Sequence, residues 1–258
     1  MTEKKSKNSL ARTGKQGRHI PRLTGNLRAH SLQLPDAIWD APGMVILGRR
    51  LKSVIFTTDV AIIRNCNADA VMGVYPFTPQ QIISQTLISA SSIPVLAGVG
   101  GGTTTGMRAV LMARDAEAHG AFGVVLNAPT KNDTIRAIKK VIDIPIIVTV
   151  LSEDVDIGSR IDAGVSVLNV SAASKTPEVV RTIRKEFDKI PIIATGGPTE
   201  ETIRKTIEAG ANTISYTPPS TADIFAVMMD KYREDLKNKD ITNDATEDGL
   251  LKAIDLLI

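Results

Sequence analysis

The chain has 258 residues, of which 43% are hydrophobic and 3% aromatic, and its formal net charge is +3. This composition excludes a disordered chain, and the length suits one eight-stranded α/β barrel of ~250 residues or two smaller domains. Cys66 is the only cysteine, which excludes an intramolecular disulfide and favours a reduced, cytoplasmic setting. No apolar run approaches the ~20 residues of a bilayer span, so we expect a soluble protein without a membrane span.

The first thirty residues are strongly basic. Residues 1–30 carry eight Lys or Arg against one acidic residue, so the rest of the chain is net acidic. The segment is poor in periodic apolar residues, and we predict that residues 1–30 form a flexible arm. Because no aromatic residues are interleaved with the charges, nucleic acid is disfavoured as a partner, although contact with RNA or an anionic surface stays open.

Two kinds of sequence mark alternate along the chain. Ile-Pro pairs open three apolar runs, at Pro94, Pro145 and Pro191, and three helix-like stretches end in glycine, at Gly120, Gly164 and Gly210. Proline at the first residue of a strand costs no central ladder bond, and glycine past a helix end adopts the left-handed cap. The marks predict strands over 53–58, 70–74, 94–98, 123–127, 145–150, 165–170, 191–195 and 212–216.

The predicted strands indicate a closed barrel. Continuous Val and Ile runs, as at 146–148, are typical of a parallel sheet buried on both faces. A doubly wound open sheet is the alternative, but regular eightfold alternation favours a single (β/α)8 TIM barrel over 31–235, with 31–52 closing its floor. We expect 236–258 to form a linker and an amphipathic C-terminal helix, which packs on the barrel or mediates a homo-oligomer.

Polar residues follow several of the predicted strands. In this fold the chemistry lies at the carboxyl ends of the strands, and residues two apart share a face of a strand. We therefore predict an inward-facing polar ring of Asp59, Asn127, Thr149, Asn169, Ser171 and Thr195. In this ring Asp59 would act as acid or base, and Asn127 and Asn169 would orient the substrate. Alternatively, Asp59 is only the N-cap of the next helix, and the amides and hydroxyls only bond turn backbone.

Two lysines near the strand ends complete the catalytic candidates. Lys131 and Lys175 would neutralise the charge of an anionic substrate, or else remain solvated in their loops. Neither lies within a strand, which disfavours a Schiff-base aldolase. No His, Cys, Asp and Glu cluster has metal-ligand spacing and no Ser-His-Asp set is visible, so we predict neither a metal nor a cofactor. The acidic residues of 153–156 would hold a hard cation or, with a stronger case, start a helix.

A glycine-rich stretch lies after the third predicted strand. Residues 98–106 hold five glycines, but Thr103 stands where the third glycine of G-x-G-x-x-G belongs, and no lysine makes the stretch a P-loop. We predict a flexible loop that closes over a ligand, and a plain turn is the alternative. Its substrate-contacting residues would be Gly100, Gly101, Gly102 and Thr103.

A second glycine loop carries a family resemblance. Residues 190–220 contain Ile-Pro-Ile-Ile-Ala-Thr-Gly-Gly, a helix, Glu-Ala-Gly-Ala and a final strand. This segment resembles the phosphate-binding TIM barrels of the ribulose-phosphate-binding and thiazole-synthase kind, and the whole chain is similar to uncharacterised barrel proteins with a generic hydrolase label. The resemblance implies that Gly196 and Gly197 bind phosphate. At the last strand the chain departs from that family. Two prolines there lack the N–H donor, so the remaining hydrogen bonds to the phosphate would come from Thr217, Ser220 or Thr221.

Together these features predict an enzyme that acts on a small phosphorylated, anionic metabolite as an isomerase, lyase or hydrolase. The alternative is a non-catalytic regulator that binds a phosphometabolite in the barrel and uses the basic arm for a partner such as RNA. The scarcity of strong acid-base groups at the strand ends motivates this alternative.

Overall fold

The computed structural model describes Pro21 and residues 31–238. Eight parallel strands close into a barrel, in which each strand pairs with the next along the chain and the last pairs with the first. The predicted TIM barrel is therefore confirmed. The basic arm, apart from Pro21, and the helix predicted within 239–258 lie outside the described residues. The ten strands described are β1 (Met44–Ile46), β2 (Arg49–Leu51), β3 (Ser53–Phe56), β4 (Ala70–Gly73), β5 (Val95–Gly100), β6 (Gly123–Leu126), β7 (Ile146–Val150), β8 (Val167–Val170), β9 (Ile192–Thr195) and β10 (Thr213–Tyr216).

The Ile-Pro pairs mark strand starts because of how proline pairs in the barrel. Pro94, Pro145 and Pro191 each precede the first residue of a strand. Their carbonyl oxygens accept bonds of 2.8, 3.0 and 3.0 Å from backbone amides of the neighbouring strand. Proline lacks a donor but keeps this acceptor, so it fits the edge of the ladder without leaving a polar group unpaired.

Eight helices surround the barrel in the described residues, and none of them has both the length and the apolar character that crossing a bilayer requires. Gly120, Gly164 and Gly210 have φ of 94°, 111° and 112°, the left-handed conformation predicted past three helix ends. The helices are α1 (Val60–Arg64), α2 (Gln81–Ala90), α3 (Gly106–Ala118), α4 (Asn132–Lys139), α5 (Ile157–Asp162), α6 (Thr176–Glu186), α7 (Glu200–Glu208) and α8 (Thr221–Asn238).

The buried apolar residues fall into two cores. The inner core fills the barrel with Val54, Met72, Leu96, Val125, Ile147, Val167 and Ile193, and the outer core lies between the strands and the helices. The ring predicted above places Asp59 inward and hence, by alternation along the strand, Ile55 inward as well. This is wrong for β3, because Val54 belongs to the inner core and Ile55 to the outer one. The run 54–56 is apolar on both faces, so its sequence carries no alternation that sets the face.

A hairpin closes the floor of the barrel, as predicted for residues 31–52. β1 and β2 are joined by Leu47 and Gly48, whose φ values of 45° and 79° are those of a type I′ turn. Met44, Ile46 and Leu51 from this hairpin join the inner core. The amino end of the barrel is therefore filled with side chains.

Helix α8 exposes an apolar stripe. Phe225, Met228, Met229, Tyr232 and Leu236 are spaced three or four residues apart, and 41–59% of each is exposed. The stripe is a hydrophobic surface that no other described element covers.

Candidate functional site

The barrel mouth, meaning the carboxyl ends of β3–β10, has a polar half and an apolar half. Alternation from the inner core turns Asn127, Thr149, Asn169 and Thr195 inward, and register pairs Thr149 with Asn169 and Ser215 with Thr195. The structure thus brings most of the predicted ring together and adds Ser215. On the β3–β5 side the inward positions hold Phe56 and Val74.

Asn169 and Ser215 are the most buried polar residues of the ring, each 7% exposed. The side-chain Nδ2 of Asn169 donates to Thr149 Oγ1 at 3.2 Å. Its Oδ1 is buried and has no partner among the described residues. Leaving such an acceptor unpaired costs about 1–3 kcal/mol, so a hydrogen-bond donor that reached this oxygen, from a ligand or from water, would be favourable.

Asn127 ends β6 and is fixed through its backbone. Its N–H donates to Gly100 O at 2.9 Å, and its carbonyl accepts from the amide of Thr130 at 3.1 Å. The side-chain amide has no partner in the described part of the chain and lines a cavity at the mouth. One donor group and one acceptor are therefore available on this side chain.

The cavity has a volume of about 240 Å³ and lies between the loop after β4 and the glycine loop after β5. Tyr75 and Phe77 line it, and the Tyr75 hydroxyl accepts from the amide of Gln80 at 2.9 Å. Phe77 is 75% exposed. Sequence reasoning missed both aromatic residues. The signal was present, because two of the eight Phe and Tyr residues stand next to a proline in Tyr75-Pro76-Phe77-Thr78-Pro79.

The glycine loop packs against the loop after β6. Gly100 is the last residue of β5, where a bulge shifts the register with β6. Gly101 has φ 90°, its amide donates to Thr104 O at 2.9 Å, and a Cβ there would lie 2.5 Å from Asn127 N. Only glycine fits this conformation and this approach. Gly102 and Thr103 are exposed beside the cavity.

Asp59 is the N-cap of α1, as the alternative given for it above expects, and this position does not test a role in catalysis. Its Oδ1 accepts from the amides of Ala61 and Ile62, at 2.9 and 3.3 Å. Its Oδ2 accepts from the Thr221 hydroxyl at the start of α8. This hydroxyl bond, together with the backbone amides, holds the pKa of Asp59 below its ordinary value despite partial burial. A base role for Asp59 stays a prediction.

The predicted phosphate residues are placed around β9, β10 and α8. The Gly196 amide donates to Ser215 O at 3.2 Å, and a Cβ on Gly196 would lie 2.7 Å from Ile214. Gly197 has φ 81°, and its amide has no acceptor among the described residues. Thr217 is exposed after β10.

The hydroxyls at the start of α8 already bond to carboxylates. Ser220 Oγ donates to Asp223 Oδ2 at 2.6 Å, and the Ser220 amide donates to the same oxygen at 2.9 Å. These bonds lower the pKa of Asp223. Thr221 donates to Asp59 in the same region.

The two lysine candidates are exposed. Lys131 precedes α4 and Lys175 ends a short 3-10 turn, and neither side chain has a partner in the residues described. Sequence reasoning also missed Arg160 of α5. Its guanidinium donates to the carbonyl of Thr130 and to Asn132 Oδ1, the latter at 2.9 Å, and so holds the loop after β6 in place.

Of the acidic residues after β7, Asp156 begins a helix. Asp156 Oδ1 accepts from the amide of Ser159 at 2.9 Å, as expected for an N-cap of α5. Across Pro21 and residues 31–238, no group of three or more His, Cys, Asp or Glu could hold a metal ion.

No family model matches the sequence, and no curated protein sequence matches it either. Solved structures do match. Phosphoenolpyruvate phosphomutase from Streptomyces platensis subsp. rosaceus has a TM-score of 0.57 at 16% identity, covering 91% of this chain and 97% of that one. A 2,3-dimethylmalate lyase, described as a PEP mutase/isocitrate lyase superfamily member, has a TM-score of 0.56 at 16% identity, covering 84% and 91%.

A third similar structure is phosphonopyruvate hydrolase in complex with oxalate and Mg++, with a TM-score of 0.54 at 15% identity, covering 90% of this chain and 95% of that one. At these identities the likeness shows the fold. It agrees with the resemblance noted above at the level of a TIM barrel. The superfamily named for the lyase is a different one from the ribulose-phosphate-binding kind that the sequence resembles.

Proposed function

We propose that the protein is an enzyme that acts on a small phosphorylated metabolite at the barrel mouth, as an isomerase, lyase or hydrolase. The observation that carries this proposal is the polar half of the mouth, where Asn169 Oδ1 is buried without a partner. A hydroxyl or amino group of the substrate would donate to this oxygen and fix the substrate beside Thr149 and Asn127. The similar structures are those of a mutase, a lyase and a hydrolase, which supports this class of reaction.

The phosphate group is assigned to the end of β9. The Gly197 amide is unpaired, and backbone amides freed of side chains are suited to bind phosphate. Thr217 lies exposed at the end of the next strand, and Lys131 or Lys175 would supply a positive charge. Ser220 and Thr221 would join this site only after their hydroxyls leave Asp223 and Asp59.

A magnesium ion does not fit the residues that the structure describes. The described residues contain no cluster of acidic or histidine side chains that could hold a metal ion, and Asp59 is engaged as an N-cap. The Mg++ of the phosphonopyruvate hydrolase complex therefore has no counterpart ligand set among them, and no step of the proposed reaction is derived through a metal.

A second candidate is favoured by the neutrality of the mouth. Its inward-facing polar groups, as far as the structure describes the chain, are amides and hydroxyls, which are weak acids and bases near neutral pH. This property suits a non-catalytic regulator that binds a phosphometabolite and uses the basic arm of residues 1–30 for a partner such as RNA.

Asn169→Ala tests whether the side chain of Asn169 binds a ligand or has only a structural role. The matched control is Asn65→Ala, which removes an exposed asparagine at the C-terminal end of α1. Calorimetry with a panel of phosphorylated metabolites should find a compound whose affinity falls about tenfold in Asn169→Ala and stays unchanged in the control. A panel without any bound compound, or equal affinities in both variants, contradicts the proposal.

Turnover of the bound compound, followed by phosphorus NMR, decides between enzyme and regulator. The enzyme is expected to keep its turnover when residues 1–30 are deleted. Absence of turnover, with RNA binding that disappears on this deletion, would establish the regulator.

A further inference from the structure

The cavity at the barrel mouth has a preorganised aromatic wall. Tyr75 is half-buried, and the bond from the Gln80 amide to its hydroxyl holds the ring in place. Pro76 and Pro79 restrict the backbone on both sides of Phe77, whose ring is 75% exposed at the cavity. An exposed aromatic ring that lines a cavity offers a ligand a large apolar contact area.

The glycine loop also lines the cavity. Gly100, Gly101 and Gly102 contribute peptide groups without side chains, and the two threonines that follow them line the cavity as well. The loop is held in place, because Gly101 donates to Thr104 O and Gly100 accepts from Asn127 N, both at 2.9 Å. A flat group can therefore approach the peptide groups of the three glycines without meeting a side chain from those residues.

Asn127, Thr103 and Thr104 are polar residues that line this cavity. The side-chain amide of Asn127 is unpaired within the described residues and offers one NH₂ donor and one carbonyl acceptor in the same plane. An amide of this kind pairs in two bonds with a partner that carries an acceptor and a donor side by side, as asparagine does with a base edge. The cavity therefore combines aromatic side chains, peptide groups of the glycine loop and an unpaired amide.

We propose that this cavity binds a flat conjugated group of the substrate that bears a hydrogen-bond donor and acceptor side by side, as in an aromatic carboxamide or a lactam ring. The volume of about 240 Å³ lies below the ~300–1,000 Å³ of pockets for whole ligands, so it suits one group of a larger molecule. The inference rests on the proposed function, because this group and the phosphate are two ends of one substrate.

Three fragments isolate the two properties of the proposed group. Benzamide is flat and carries the full amide, cyclohexanecarboxamide replaces the flat ring by a puckered one, and N,N-dimethylbenzamide lacks the N–H donors. Titrations of the full-length protein followed by protein NMR should give millimolar binding of benzamide, as expected for so small a ligand. Both other fragments should bind at least about fivefold more weakly.

Phe77→Ala tests the aromatic wall, and Phe225→Ala on α8 is its matched control, because that ring is 59% exposed and does not line the cavity. Benzamide affinity should fall about fivefold in Phe77→Ala and remain unchanged in Phe225→Ala. Asn127→Leu should remove the preference for benzamide over N,N-dimethylbenzamide. Equal binding of the three fragments, no binding of benzamide, or equal effects of the two phenylalanine variants would overturn the inference.

Inorganic phosphate, titrated separately, distinguishes this inference from the proposed function. If phosphate shifts the NMR signal of the Gly197 amide and benzamide binds no better than the other two fragments, the inference of a flat substrate group is wrong and the proposed phosphate site is supported. If benzamide binds as expected and phosphate does not bind, the inference about the cavity is supported and the proposal of a phosphorylated substrate is wrong.

Discussion

Asp59→Ala tests whether this carboxylate connects helices or takes part in catalysis. Asp59 accepts two amide bonds at the start of α1 and the hydroxyl bond of Thr221 from α8. Loss of an N-cap costs ~1 kcal/mol, and loss of a bond to a charged group in a partly exposed site adds ~1 kcal/mol. We expect Asp59→Ala to lower the free energy of unfolding by about 2 kcal/mol.

Urea unfolding measures this loss. The slope of the free energy of unfolding against urea concentration should not change between variants. Thr221→Val removes only the hydroxyl bond and should cost about 1 kcal/mol, and the double-mutant cycle with Asp59→Ala should give a coupling of about 1 kcal/mol. Thr58→Ala, an exposed neighbour, is the control and should stay within about 0.5 kcal/mol of the parent protein.

The pH dependence of stability provides a second readout of the same bond. The Thr221 hydroxyl and the backbone amides lower the pKa of Asp59 in the folded state below its ordinary value of 3.8. The stability that Asp59 contributes is thus fully present above the unfolded pKa and is lost as the pH falls through the folded pKa. In Asp59→Ala the loss of stability below about pH 4 should be smaller than in the parent protein.

A different outcome would assign Asp59 to the chemistry. If Asp59→Ala keeps its stability within about 0.5 kcal/mol but loses about a hundredfold or more of kcat, the reasoning from the N-cap is refuted and Asp59 is an acid or base.

Three further predictions address the loop, the barrel floor and assembly. Gly101→Ala should destabilise the protein by about 3 kcal/mol and Gly102→Ala by about 1 kcal/mol in urea unfolding, because both have positive φ but only the first Cβ meets backbone. Arg184→Met should cost about 3 kcal/mol, since its guanidinium donates to four backbone carbonyls and to Asn212 Oδ1. Homo-oligomerisation through the predicted C-terminal helix stays a prediction: truncation after Asn238 should give a monomer by light scattering, and an unchanged oligomer would contradict it.

The order of strands was predictable because single residues with a specific backbone effect mark the starts of six of the eight barrel strands. Pro94, Pro145 and Pro191 open strands as acceptors without donors, and the glycines after α3, α5 and α7 adopt the left-handed cap. These effects are local and need no knowledge of tertiary contacts. The face of β3 was not predictable, because Val54, Ile55 and Phe56 are all apolar.

The site was predicted only where it follows from strand ends. Asn127 and Asn169 continue the inward alternation of Val125 and Val167, so their position could be read from the sequence. The aromatic residues of the loop after β4 were missed, although their signal, two aromatic residues beside prolines, is present in the sequence. Asp59 was assigned inward from the wrong face of β3, whereas the alternative N-cap depends only on the helix that follows it.

The hairpin at the amino end gives the barrel a single entrance. Met44, Ile46 and Leu51 fill that end, so a small molecule has no passage along the barrel axis from below. Substrate and product would therefore have to exchange through the same opening, beside Phe77 and the glycine loop. In the proposed enzyme, a product that stayed at this opening would block the entry of the next substrate molecule.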